Sequence, residues 1–139
     1  VSPFFTECNA CIPDTPLNNF SLPDYKLCFS HKTDNSVFGH ANIIKSKKSK
    51  IKGAIWKITK AHEKELDIYE GVDYGYYQKE YFTYKGKKVL VYIQKVYYFQ
   101  KPSSKYLHTI IQGYKDCLLD TMYLKKVVMN YKINYKINW

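Results

Sequence analysis

The sequence predicts an α+β domain built on an antiparallel sheet or small barrel. Three observations lead there. Strand-like runs outnumber helical ones, two aromatic and β-branched runs flank a Lys85-Gly86-Lys87 turn, and helical periodicity is confined to one middle segment and the C-terminal third. At 139 residues with 45% hydrophobic side chains, the chain can fill one core but hardly two. Its 17% aromatic share, with 15 Tyr, excludes a disordered chain, which lacks the large apolar groups that offset ordering entropy. No stretch approaches the roughly 20 apolar residues of a spanning helix. The chain opens without Met, which fits processing or trimming.

Taken in order, the first 24 residues carry Pro3, Pro13, Pro16 and Pro23 and read as short extended pieces and turns. Tyr25 to Phe29 and Ala41 to Ile44 are predicted strands. The Lys-Ser run from Lys45 to Lys50 reads as a loop into a third strand, Ile51 to Ile58. Lys60 to Tyr69 is predicted helical, with Thr59 as cap, His62, Leu66 and Tyr69 at helical spacing, and Gly71 just past the end. Tyr76 to Tyr84 and Lys88 to Phe99 form the predicted hairpin. Pro102-Ser103-Ser104 starts a second helix with Leu107, Ile110, Ile111 and Tyr114 on one face. A further helical segment, Lys115 to Met129, carries Leu118, Leu119 and Met122. The chain closes on Tyr131-Lys132-Ile133-Asn134 repeated as Tyr135-Lys136-Ile137-Asn138, an added strand or an ordered tail and too short for a solenoid.

The formal charge is +10, and its distribution limits what it means. Lys45, Lys47, Lys48, Lys50 and Lys52 form one cluster, and Lys125, Lys126, Lys132 and Lys136 form another in an acid-free end. These nine leave 13 lysines against 12 carboxylates. All 22 basic residues are Lys, so the planar fork that reads guanine edges is missing, which argues against specific duplex recognition. The clusters read as a solvated loop and a soluble tail, with salt-sensitive attraction to polyanions or acidic membranes as the alternative.

Cys8 and Cys11 form a CxxC, with Cys28 and Cys117 distant. One close pair does not make the usual zinc site, and Pro13 and Pro16 argue against the helix of a redox motif, so free thiols are expected and no metal. An even cysteine count and the sequon Asn19-Phe20-Ser21 would also permit a secreted, disulfide-bonded protein, leaving the compartment open.

P-loop, GxGxxG and GxSxG signatures are missing, and His31, His40, His62 and His108 lack zincin spacing and read as surface or packing residues. The segment from Asp67 through Glu70-Gly71-Val72 to Gly75-Tyr76-Tyr77 stands apart. Glu70 falls at the last turn of a predicted helix, where the dipole disfavours a negative charge by about 0.3–1 kcal/mol. An exposed helix end would tolerate that misplacement. A Glu there that is also buried against Tyr rings would be tuned upward, suited to accept a proton from an amine and return it to a leaving group.

These residues carry a resemblance. Gly53-Ala54-Ile55-Trp56-Lys57-Ile58, the helix ending in Tyr69-Glu70-Gly71-Val72, Gly75-Tyr76-Tyr77, and Pro102-Ser103-Ser104-Lys105-Tyr106 with Gly113 resemble the gamma-glutamylcyclotransferase family in order and spacing over roughly residues 25 to 125. The resemblance implies a small mixed, largely antiparallel β-barrel flanked by helices, as a domain over residues 1–130 followed by a tail over 131–139. It also implies a small gamma-glutamyl substrate, no metal or organic cofactor, and a cytoplasmic location. Glu70 matches the family's catalytic glutamate, and Tyr77 and Tyr106 match tyrosines that would pack and hydrogen-bond around the carboxylate and substrate. Their plainer reading is as barrel aromatics.

The departure is at the front. Family members carry a Tyr-Gly-Ser-Asn turn whose backbone N–H groups hold the glutamyl portion. Here the nearest segment is Pro3-Phe4-Phe5-Thr6-Glu7-Cys8-Asn9, which keeps Asn9 as a substrate-binding candidate but puts Glu7 where glycine belongs. Three explanations compete: a shifted register, a missing natural N-terminus, or lost or changed activity. The alternative function is accordingly a non-catalytic member of the family that serves as a binding or structural protein.

Overall fold

The computed structural model describes residues 17–56 and 58–139, with side chains from residue 20 onward. The expectations for the N-terminal prolines, the Cys8–Cys11 pair, Glu7 and Asn9 lie outside the described residues.

The chain runs β1 (Leu17–His31), β2 (His40–Ile55), α1 (Lys60–Tyr69), a 3₁₀ turn (Val72–Tyr74), β3 (Gln78–Tyr84), β4 (Lys87–Ile93), β5 (Tyr98–Phe99), α2 (Ser104–Asp116) and α3 (Thr121–Val128). The fold is mixed α+β with antiparallel sheets, as the sequence predicts. One sheet has the order β2-β1-β5 and the other pairs β3 with β4. Among the described residues the hydrogen-bonded strands do not close into a barrel.

β1 and β2 are longer than the short strands expected, and the Lys-rich run is incorporated rather than looped out. The ladder passes from Pro23 opposite Lys50 to Tyr25 opposite Lys45, so residues 46–49 face Asp24 alone across an irregular bulge. Asp24 and Lys48 both take positive φ there, and the Asp24 carboxylate accepts the Lys48 N–H at 3.2 Å. Ile43 and Ile51 on either side are buried, so the bulge lets one strand keep its apolar residues inward while lysines stay in water.

The hairpin falls where expected. Lys85 (φ 49°) and Gly86 (φ 75°) supply the two positive dihedrals that a tight two-residue turn needs. The strand that follows is shorter than predicted, because β4 stops at Ile93. Gln94 is buried and binds side chains instead of a strand: its N–H donates to Asn42 Oδ1 at 2.9 Å, its C=O accepts from Asn42 Nδ2 at 3.0 Å, and its Oε1 accepts from Ser30 Oγ at 2.5 Å. The chain then turns to place Tyr98–Phe99 beside β1.

α2 buries Leu107, Ile110, Ile111 and Tyr114 as its periodicity predicts, against Phe20, Phe29, Ile43, Ile51 and Val91 of the strands. The next segment departs from expectation. Leu118 (φ 56°) breaks the helix and is exposed, Met122 is exposed, and α3 buries Leu124 and Val128 instead. Cys28 and Cys117 are buried free thiols, and burial pushes the Cys28 thiol up to about 12.

The terminal repeat is ordered against the core without joining a sheet. Its residues alternate half-buried and exposed. The Tyr131 hydroxyl accepts the Phe29 N–H at 2.7 Å and donates to the Phe29 C=O at 2.9 Å, and the Tyr135 hydroxyl donates to the Pro102 C=O at 2.7 Å. No helix among the described residues is long and apolar enough to cross a membrane.

Candidate functional site around Glu70

The site is built by a short closed loop. Thr59 caps α1 reciprocally with His62: Thr59 Oγ1 accepts the His62 N–H and His62 Nδ1 accepts the Thr59 N–H, both at 3.2 Å. At the other end the Glu70 N–H still donates to the Leu66 C=O at 2.8 Å, and Gly71 then enters the left-handed region at φ 63°. The Gly71 C=O accepts from Tyr74 N–H at 3.0 Å and Tyr76 N–H at 3.1 Å, and Gly75 (φ 72°) reverses the chain. Seven residues of sequence therefore return Tyr77 to the neighbourhood of Glu70.

α1 is fixed to the second sheet by a polar clamp and an apolar one. Lys79 of β3 pairs with Glu63 and with Asp67 at 3.0 Å, and the Tyr92 hydroxyl of β4 donates to Asp67 at 2.6 Å. Leu66, Tyr77 and Tyr92 form a small buried cluster beneath. The two carboxylates hold the Lys79 ammonium above its usual range although partial burial opposes them. Held this way, the helix turns its C-terminal capping residue inward: Glu70 is 4% exposed, whereas neighbouring Tyr69 is 58% exposed. The exposed helix end that would tolerate a stray Glu is not what the fold provides.

Tyr77 and Tyr106 meet at one peptide of β2. The Tyr77 hydroxyl donates to the Ala41 C=O at 2.8 Å, and the Tyr106 hydroxyl accepts the Ala41 N–H at 2.9 Å. β2 is the outer strand of its sheet, so these hydroxyls satisfy edge groups that no further strand meets among the described residues. Burial raises both phenols well above their usual range, and the charge of Glu70 adds to the rise in each. Burial and then the bond to Asp67 raise Tyr92, with a smaller contribution from Glu70. Glu70, Tyr77 and Tyr106 thus occupy one electrostatic neighbourhood. Asn9 lies outside the described residues.

Two members of this neighbourhood escaped the sequence reading. Ala41 acts through its peptide, which leaves no trace in residue type. Tyr92 was one Tyr among many; its place between Val91 and Ile93, which enter the main core, puts it on the opposite face of β4 with Leu66 and Tyr77. His40 was read as surface or packing. It stacks edge-on against Tyr106 at 4.9 Å, and burial, aided by His31, pushes its imidazole down to about 4. A line of rings runs on from His40 to His31 and Tyr76, both at 6.3 Å, and ends with Lys32 Nζ 4.5 Å from the Tyr76 centroid. A separate groove of about 880 Å³ contains none of Glu70, Tyr77 and Tyr106. Among the described residues no group of three or more His, Cys, Asp or Glu is arranged to hold a metal ion.

The same fold is found in solved structures. The chain is similar to the ensemble-refined crystal structure of uncharacterized protein loc79017 from Homo sapiens, at 28% identity and TM-score 0.73, over 96% of this chain and 87% of that one. It is also similar to a structure titled gamma-glutamyl cyclotransferase, at 27% identity and TM-score 0.69, over 89% of this chain and 80% of that one. No curated protein matches. The architecture is thus of the gamma-glutamylcyclotransferase-like class. By the family model that matches residues 50–127, more than half its length, the chain belongs to the AIG2-like family.

Proposed function

We propose that this chain converts a small gamma-glutamyl compound to 5-oxoproline, with Glu70 as general base and then general acid. The substrate's α-amine attacks its own γ-carbonyl, a five-membered ring closes, and the bond to the leaving amine breaks. Glu70 takes the proton released by the attacking nitrogen and delivers it to the departing one. Attack within one molecule already has a high effective concentration, so the protein has only to fold the substrate and move the proton. The observation that carries this reading is the burial of Glu70 at the closed loop beside Tyr77 and Tyr106. A sheltered carboxyl is costly to keep and is characteristic of sites where proton chemistry retains it.

In this reading Tyr77 is a positioning residue, because its hydroxyl hydrogen goes to Ala41. Tyr106 accepts from Ala41, and the proposed role of its own hydrogen is to be donated to the substrate. Asn9 joins the site from the front turn, the two sheets form the walls of a small mixed barrel, and residues 1–130 make up the domain, with 131–139 appended. Incubating the chain, including its natural N-terminus, with a panel of gamma-glutamyl amines and dipeptides should release 5-oxoproline and free amine in equal amounts.

A second reading rests on Glu7, whose bulk and charge replace the glycine of the family's substrate-holding turn. It makes the chain a non-catalytic binding or structural member. Absence of product across the panel would favour it.

A further inference from the structure

The two lysine clusters of the sequence, far apart along the chain, meet in the fold. Lys50, from the first cluster, and Lys126 and Lys132, from the second, line the same 880 Å³ groove. Lys26 of β1 and Lys101, just after β5, complete the set. Four separate stretches of chain thus contribute these five lysines, and no Asp or Glu lines the groove. Elsewhere lysines that lie near acids pair with them, as Lys79 and Lys95 do. Among the described residues none of these five is in an ion pair.

We propose that this groove is a binding site for a small, multiply phosphorylated anion, distinct from the Glu70 site. Like charges gathered in a concavity repel one another and focus a positive potential into it, and a multivalent anion relieves the repulsion. Phosphate fits better than carboxylate because several charges must be supplied within one small volume, and Lys engages phosphate as a point charge without needing the Arg fork. The volume is that of a single small-molecule site, roughly 300–1,000 Å³, rather than of an extended track. The wall is preformed. Tyr123 and Tyr131 line it while their hydroxyls accept the N–H groups of Leu27 and Phe29 at 2.9 and 2.7 Å, so the β1 edge offers no free donor there and recognition falls to the lysines. Phe99, 59% exposed at the groove, offers a ring face to any planar part of the ligand.

The test is calorimetric titration with inorganic tripolyphosphate. The expected result is saturable one-to-one binding that weakens with salt and falls about tenfold or more in a Lys26→Gln/Lys126→Gln/Lys132→Gln variant. A Lys64→Gln/Lys87→Gln/Lys105→Gln variant removes the same charge outside the groove and should bind as the parent does. A measurement on the unaltered protein guards against misfolding of the variant: tripolyphosphate should protect Lys26, Lys126 and Lys132 from acetylation and leave Lys64 and Lys87 reactive. Vesicles of phosphatidylcholine with and without a polyphosphorylated inositol lipid separate the sources. Binding lost in the groove variant assigns the anion to a headgroup, whereas its absence, with tripolyphosphate bound, assigns a soluble ligand. The proposal is overturned by no saturable binding, by equal loss in both variants, or by an oligothymidylate whose affinity grows with length and which tripolyphosphate fails to displace.

Discussion

Every backbone polar group on an outer strand needs a partner, and at Ala41 the partners are the hydroxyls of Tyr77 and Tyr106. Replacing either by Phe leaves a C=O or an N–H without its bond in a buried setting. Tyr77→Phe and Tyr106→Phe should each lose about 1–3 kcal/mol of stability in denaturant titrations. If Tyr106 also touches substrate, its variant should lose more activity than the Tyr77 variant. His40 adds a pH dependence. Its folded-state pKa of about 4 lies below the ordinary 6.5, so between those values the unfolded chain binds the extra proton. This contribution is complete above about pH 6.5 and is lost as pH falls towards 4. A His40→Phe variant should show a flatter stability profile across that window.

The loop from Glu70 to Tyr77 depends on Gly71. A Cβ there would sit 2.7 Å from Tyr76 Cδ2, and the backbone is in a region that L side chains avoid. Gly71→Ala should cost roughly 1–2 kcal/mol from the backbone alone, and more if Tyr76 has to shift. Melting of the variant measures that cost. Glycines at helix ends and in tight turns were readable from sequence because residue type and conformation are tied there, which is why α1, its Thr59 cap and the Lys85–Gly86 turn fall where expected. The bulge opposite Asp24 and the end of β4 were not readable. Both are set by partners distant in sequence, Lys48 on Asp24 and Asn42 on Gln94. The same applies to the site: Glu70 and its loop carry a local signature, whereas the Ala41 peptide joins only through tertiary contact. Leu118 misled the periodic reading of the last helices because an apolar residue was used at a helix break.

At the level of the whole chain, the terminal repeat is part of what holds the first sheet in place. One Tyr131 hydroxyl serves both the N–H and the C=O of Phe29, a residue with no exposed surface. Tyr131→Phe should lower stability by about 1–3 kcal/mol in thermal or denaturant unfolding, more than an exposed substitution such as Lys136→Gln. The two charged features also divide the molecule. The proposed acid–base chemistry belongs to one buried carboxyl, and the proposed anion site to a lysine-lined groove elsewhere. Salt should accordingly weaken anion binding strongly while leaving turnover at Glu70 comparatively unaffected.

The most direct trial of the proposed chemistry compares the parent chain with Glu70→Gln, a near-isosteric change that keeps the side chain's size and removes its ability to cycle a proton. With circular dichroism and melting used to verify that both are folded, the parent should form 5-oxoproline from a gamma-glutamyl substrate and the variant should fall by at least about a hundredfold. Equal turnover by the two folded proteins would contradict the role given to Glu70.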